Sequence, residues 1–322
     1  MKFVNDLAVG DTINDFYLVK SKEVRAKKNG DPYLALVLAD KTGDIRTMMW
    51  DNVDAVRELF EQGDLVKVQG RINAYNDQIQ ATIGRLRPVT DKDFHEGLER
   101  SNYFAAAERD TEDMWQELMS IVEMIEPEPL RQLVVKIFER FEKEFKHYPA
   151  ARTVHHSYIC GLLEHTLSVA ETCVYLAEKY APLDTGLLLS AAVLHDIGKI
   201  LELPETAGKS YTPHGMLLGH MIMGCEIVHE TAKEVEGLDE EQLLLLEHCI
   251  LSHQGIPEWG SPKRPKIIEA LLCHYADDMD AKANIFRRVL KNDKNDGHAT
   301  ARDPYIERHL FKRSNTGYSE NA

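Results

Sequence analysis

Six residues spread through the second half of the chain carry side chains able to hold a metal ion: His165, the adjacent pair His195-Asp196, His220, His253 and Asp277. Each lies on or beside an apolar run. His195-Asp196 follows Ala191-Ala192-Val193-Leu194 and precedes Ile197-Gly198-Lys199, and His165 sits inside Gly161-Leu162-Leu163-Glu164-His165-Thr166-Leu167. His220 follows Leu217-Leu218-Gly219, His253 follows Ile250-Leu251-Ser252, and Asp277 follows His274-Tyr275-Ala276. An ionised Asp amid that much apolar sequence is costly to bury unless it is paired or metal-bound. Imidazole and carboxylate together suit Mn, Fe, Co or Zn, and a bridging carboxylate can hold two ions. Singly, each residue has a plainer explanation: a hydrogen-bonded core His, or, for Asp277 beside Asp278 and Asp280, a solvated acidic face. The ordered set, one member per helix or helix end, points to a shared centre.

The elements that must position this set are helical. From Gly161 the apolar spacing has a period near 3.6, and similar runs cover 187–197, 217–236, 240–252 and 267–289. Gly198, Gly237 and Gly255 stand where helices should end. The expectation is an all-α bundle. Two further helices, 111–125 and 130–146, read as a connector or as the opening of that bundle, and the polar stretch 296–322 reads as a partly mobile tail.

The N-terminal stretch has a different period. Short apolar alternations at 16–25, 33–39, 45–50, 65–75 and 78–86 are separated by turn formers such as Asn29-Gly30 and Thr42-Gly43, with one amphipathic helix expected at 53–62. Five strands with a helix between the third and fourth predict a small closed barrel of the oligonucleotide-binding type. Alternation sends Val66, Val68, Ile72 and Ala74 to one face and Lys67, Arg71 and Tyr75 to the other. With Arg46, Tyr33 and Arg85 these form a cationic and aromatic surface of the kind that neutralises a single strand and stacks its bases. Such barrels also bind sugars and proteins, and the plainer reading is a solvated face with Trp50 in the core.

The formal net charge of −15, from 38 Lys and Arg against 53 Asp and Glu, argues against nucleic-acid binding until it is divided. Residues 1–92 hold 14 basic and 14 acidic side chains; the remainder holds 24 and 39. Histidine is as uneven, with ten of the fourteen between residues 147 and 253. The longest charge-free apolar run, at 186–194, is half of what a membrane helix needs. The acids near the N-terminus do not suit a signal peptide, and five cysteines without a CxxC pair read as reduced thiols; the expectation is a cytoplasmic protein.

The run H…HD…D resembles the HD-domain phosphohydrolase superfamily, and His220 and His253 resemble the additions of its two-metal members. A barrel followed by GLLEHTLSV, LHDIGK, LLGH, LSHQG and HYADDMDAK in order is similar to the bacterial YhaM-type 3′–5′ exoribonucleases over roughly residues 1–290. The resemblance implies a barrel at 1–90, a helical connector at 91–148, an HD domain at 149–295 and a tail at 296–322. It implies that His165, His195, Asp196 and Asp277 ligate one metal and that Asp196 bridges to a second held by His220 and His253. The expected cofactor is one or two divalent ions, Mn²⁺ first, with Fe²⁺, Co²⁺ or Mg²⁺ as alternatives. The implied substrate is single-stranded RNA, with single-stranded DNA as a second, degraded to nucleoside 5′-monophosphates; self-association into a homo-oligomer is implied too. Lys199 is the expected phosphate contact beside Asp196, its plainer role being a cation at a helix C-terminus; His155 and His156 are further phosphate candidates. Several two-metal relatives carry adjacent histidines where this chain has Ser252-His253-Gln254, so the second position is short of a ligand or completed by water. His248 is an imperfect substitute, structural by default, since five residues of helix turn about 140° and it does not share a face with His253. The competing readings are an HD phosphohydrolase acting on free or cyclic nucleotides, and a non-catalytic single-strand-binding protein.

Overall fold

The computed structural model describes residues 2–75, 78–104, 107–151, 156, 158–204, 211–293, 295–303 and 305–313. They fall into two units, one ending at residue 106 and the other beginning at 107. In the first, alternation of buried and exposed side chains drives strand pairing. β1 (Thr12–Ala26), β2 (Pro32–Asp40), β3 (Gly43–Met49), β4 (Leu65–Tyr75) and β5 (Gln78–Pro88) close into a barrel in the order β1-β2-β3-β5-β4. The long β1 serves two neighbours: residues 12–18 pair with β4 and 18–26 with β2, with a register shift between Val19 and Ser21. A bulge there bends one strand around the barrel corner. Leu34, Leu36 and Leu38 of β2, Val66, Val68 and Ile72 of β4, and Ile83 of β5 fill the interior.

Three expectations for this unit need correction. The helix at 53–62 is only a 3₁₀ turn, Val53–Ala55, followed by loop. The Lys22 ammonium donates to the carbonyls of Arg57 (2.6 Å) and Phe60 (2.5 Å), and Phe60 is buried in the barrel core. A tertiary cation thus takes carbonyls that a helix would have used. Trp50 is not in the core: it is 40% exposed and stacks on Tyr33 at 4.6 Å, because it shares the outward parity of Arg46 and Met48. Ala74, expected to point inward, is exposed near the end of β4.

The barrel's last strand leads into α1 (Asp91–His95), where Asp93 is the anchor. Its carboxylate accepts from Arg87 Nη1 and Nη2 (2.7 and 2.6 Å) and from the Thr90 amide and hydroxyl (2.8 and 2.9 Å).

The second unit is helical: α2 (Thr111–Val122), α3 (Glu128–His147), α4 (Gly161–Lys179), α5 (Thr185–Leu194), α6 (Lys199–Glu202), α7 (Pro213–Leu217), α8 (His220–Ala232), α9 (Glu240–Ser252) and α10 (Ile268–Asn292). Every residue of α5 from Gly186 to Leu194 is buried. That explains an apolar run without a polar face: α5 is the central rod, in contact with α3, α4, α9 and α10. α2 and α3 belong to the same core, to which they bring the aromatic cluster Trp115, Phe138 and Phe145. Asp110, Asp184 and Asp239 cap α2, α5 and α9 by accepting backbone N–H groups. The helix expected over 217–236 is broken at Gly219, whose φ of +78° separates α7 from α8. Beyond α10 the described part of the tail is ordered: bridges join Ala299 to Phe311 and Asp303 to Arg308, and Lys312 pairs with Asp293 at 2.8 Å. No helix among the described residues is long and apolar enough to cross a membrane.

Asp93→Ala removes the ion pair and the bonds to Thr90, and should lower stability in urea unfolding by about 1–2 kcal/mol at neutral pH. Hydrogen bonding to Arg87 outweighs desolvation and holds the Asp93 carboxyl below its ordinary value. The contribution is therefore present above an unfolded-state pKa of about 3.9 and is lost as pH falls towards the lower folded value. The gap between wild type and Asp93→Ala should narrow below about pH 4.

Candidate metal centre

The six residues singled out by spacing converge. His165 comes from α4, His195 and Asp196 from the turn after α5, His220 from the first residue of α8, His253 from the end of α9 and Asp277 from α10. They form two groups of potential ligand atoms: His165, His195 and Asp277, and Asp196, His220 and His253. Asp196 faces both. Its Oδ2 lies 3.2 Å from His195 Nε2 and 3.5 Å from His165 Nε2, while its Oδ1 lies 3.6 Å from the Nε2 atoms of both His220 and His253. Asp277 Oδ1 is 3.2 Å from His165 Nε2.

The histidines share an orientation. His195 Nδ1 donates to the Ala192 carbonyl (2.8 Å) and His253 Nδ1 to the Ile250 carbonyl (2.7 Å). A carbonyl only accepts, so these Nδ1 atoms carry a proton, and each ring turns its Nε2 to the centre. His165 Nδ1 bonds Asp280 Oδ2 (2.7 Å), and His220 Nδ1 bonds Glu202 Oε2 (3.0 Å). A carboxylate behind an imidazole fixes its tautomer and raises its basicity as a ligand. Asp280 and Glu202 were not expected from the sequence. For Asp280 a signal existed, since it lies one turn beyond Asp277 on the same helix face. Glu202 had none beyond its place seven residues after His195.

Electrostatics make the centre demanding. Burial pushes the Asp196 carboxyl up, but Lys199 and His195 outweigh it and hold the group well below its ordinary value. Lys199, itself nearly buried, places Nζ 2.5 Å from Asp196 Oδ2. Asp196 Oδ1 is fully buried without a hydrogen-bond partner. Burial, with the neighbouring His195, pushes His253 down to about 3, which leaves a neutral imidazole. An unpaired buried carboxylate oxygen facing two imidazole nitrogens fits a divalent cation: the oxygen needs positive charge and imidazole nitrogens can offer lone pairs.

Three further positions are accounted for. Gln254 Nε2 stands 3.4 Å from His220 Nε2. His248 Nε2 accepts the Lys266 amide at 2.9 Å. His156 is buried, with Nε2 3.0 Å from Asp280 Oδ2 and Nδ1 2.7 Å from the Tyr158 hydroxyl; with His165 and Asp280 it forms a third cluster. His155 lies outside the described residues.

A family model described as HD domain matches residues 162–282, and one described as OB-fold nucleic acid binding domain matches 19–89. A third, described as a putative helicase, matches 99–187. The 3′–5′ exoribonuclease YhaM of Geobacillus sp. (strain WCH70) is 34% identical over 307 residues, covering 94% of this chain and 92% of the relative. That of Bacillus subtilis (strain 168) is 33% identical over 303 residues, 94% and 95% of the two chains. This chain belongs to the YhaM 3′–5′ exoribonuclease family.

In this YhaM-family chain the six barrel residues singled out earlier all lie on β2 to β5. Lys67 and Arg85 line one cleft of about 310 Å³ together with Gln69 and Arg87. Arg46 sits beside Gln80 across the parallel β3–β5 pair, and Arg71 faces Thr82 across β4–β5. Tyr33 stacks on Trp50, and Tyr75 is exposed at the far end of β4. Trp50 is therefore an exposed ring beside Tyr33, which the alternation Ile45, Thr47, Met49 inward against Arg46, Met48, Trp50 outward could have revealed.

The approach of α8 to the His195-Asp196 turn depends on Gly198. Its φ of −65° is open to any residue, but an added Cβ would lie 2.0 Å from the His220 carbonyl oxygen. Gly198→Ala should therefore cost about 1–3 kcal/mol, read as a lowered thermal midpoint of the full chain. A midpoint unchanged from wild type would show that α8 yields freely.

Proposed function

We propose that this chain is a divalent-metal-dependent 3′–5′ exoribonuclease that hydrolyses single-stranded RNA to nucleoside 5′-monophosphates in the cytoplasm. The observation that carries the reading is Asp196, fully buried and facing a different ligand group with each oxygen. His165, His195, Asp196 and Asp277 would hold one ion, and Asp196, His220 and His253 a second, with Mn²⁺ suited to this mixed imidazole and carboxylate set. Bound there, divalent ions activate water as a nucleophile and neutralise charge on the phosphoryl oxygens.

The chain's own residues supply position and charge. Asp280 and Glu202 hold His165 and His220 with Nε2 inward. His156 acts behind this layer, since its Nε2 is engaged by Asp280. Lys199 reaches Asp196 from one turn further along the chain, where its ammonium can also meet a phosphate oxygen. Tyr33, Arg46, Lys67, Arg71, Tyr75 and Arg85, with Trp50, give the barrel cations for the backbone and rings for the bases.

With Mn²⁺, a 5′-labelled single-stranded RNA should shorten progressively from its 3′ end, and EDTA or Asp196→Ala should abolish the shortening. Hydrolysis of mononucleotides with the RNA left intact would instead identify a nucleotide phosphohydrolase. Asp280→Ala should weaken Mn²⁺ binding by about 10–100-fold in calorimetry, while far-ultraviolet circular dichroism stays that of the wild type. RNA affinity should fall as salt rises, because phosphate contacts release counterions.

A further inference from the structure

We infer that the helical unit carries a strand-binding groove of its own, on the outer side of α10, which holds single-stranded RNA upstream of the metal centre. The inference rests on the exoribonuclease reading and gives it a second contact with substrate.

A groove of about 950 Å³ runs between α10, the 3₁₀ turn Pro257–Trp259 and the folded-back tail. Its lining brings together Trp259, Phe286 and Tyr305 with Lys282, Arg287 and Arg308. Trp259 and Tyr305 are each about half exposed, at 52% and 51%, and Phe286 is 37% exposed. Large rings buried only to this extent are not serving a core. Lys282 and Phe286 lie four residues apart on one helix face, and the Lys282 ammonium sits 5.0 Å over the Trp259 ring.

The charges point to an anionic occupant. From residue 93 onward acids outnumber bases 39 to 24, yet in this groove Glu307 is the one lining carboxylate among the described residues against three cations. Lys282 is paired with Asp278 at 2.7 Å. Arg308 donates to the Ile306 carbonyl at 2.9 Å, which leaves most of its guanidinium donors unused. Exposed Arg287 has no carboxylate partner among the described residues. Cations alternating with half-exposed rings suit a flexible polyanion bearing planar bases.

The groove lies on the side of α10 away from Asp277, since Lys282 and Phe286 stand about 140° and 180° around the helix from it, and packing at its Trp259 rim links it to the centre. The Trp259 ring lies 6.3 Å from that of His274, whose Nδ1 donates to the His253 carbonyl at 2.7 Å. Along α10, Arg287 stands ten residues beyond Asp277, or about 15 Å. A strand whose 3′-terminal phosphodiester reaches the cluster would pass around α10 past Trp259 and lay its preceding nucleotides on the outer side of that helix.

The test is binding of a fluorescent poly(U) strand of about 20 nucleotides to the full chain in EDTA, where no cleavage occurs. Trp259→Ala and Arg287→Glu should each weaken binding by about tenfold, and Arg287→Ala should reduce the slope of log affinity against log salt by about 1. In Mn²⁺ the same variants should raise KM for the long strand and leave kcat/KM for a dinucleotide unchanged, since a dinucleotide does not reach Arg287. Long-strand affinity within twofold of wild type in variants that keep the wild-type melting curve would overturn the groove. So would an altered oligomeric mass by light scattering with RNA binding unchanged, which would make this face a contact between copies. A wild-type chain that binds RNA in EDTA but does not shorten it in Mn²⁺ would overturn the exoribonuclease reading, and the binding comparison would still decide the groove.

Discussion

A carboxylate without access to water is the constraint around which the helical unit is arranged. Asp196 follows α5, a helix buried along nearly its whole length, so its charge cannot be relieved by solvent. Relief must come from cations and from polar atoms brought by other elements: α4, α8 and α9 each end or pass there with an imidazole, while α10 adds a second carboxylate that shares the demand for positive charge. Such a group is tolerated only where the surrounding structure supplies compensating charge, and here the supply is Lys199 together with a site matched to divalent ions. Gly198 and Gly219 serve the same end, one allowing the close approach of His220 and the other ending α7 so that α8 can begin at that residue.

The imidazoles add a second layer of order. Each is held from behind at Nδ1, two by carbonyls of their own helices and two by carboxylates on α6 and α10. Orientation from local carbonyls comes with the helix itself, whereas Asp280 and Glu202 tie separate elements together. This difference makes the His165 and His220 positions the ones that report on packing of the whole bundle. Asp280 couples α10 to His156 and Ser168 as well as to His165, so one carboxylate joins three parts of the unit.

The net charge of −15 conceals an uneven distribution. The barrel region is neutral overall and has cations and rings among its outward-facing side chains, and the acidic helical unit has a groove where cations outnumber carboxylates. Association with a polyanion is governed by these local fields rather than by the total. Only after the chain is folded can a local field be assigned, because Lys282, Arg287 and Arg308 are brought to one groove by a tail that returns along α10.

How much was legible in the sequence follows from the range of each signal. The strands of the barrel, the apolar run of α5 and the six spaced ligand candidates rest on local period and residue type, and these are written along the chain. The segment 53–62 misled because its apolar spacing suits a helix, while its carbonyls are taken by Lys22, more than thirty residues away in sequence. The plainer reading of the barrel face put Trp50 in the core, although the parity of its strand sends it outward with Arg46 and Met48. Glu202 carries no mark distinguishing it from the other acids of an acidic unit, and Asp280 has only its place one turn beyond Asp277; the imidazole beside each sets them apart. The sequence by itself thus determined the chemistry available and the elements that carry it, since side-chain type and periodicity are local properties. Tertiary structure decided which oxygen of Asp196 meets which histidine, which acids stand behind the rings and where the cations gather. Those depend on distances between residues far apart in the chain, and only packing sets them.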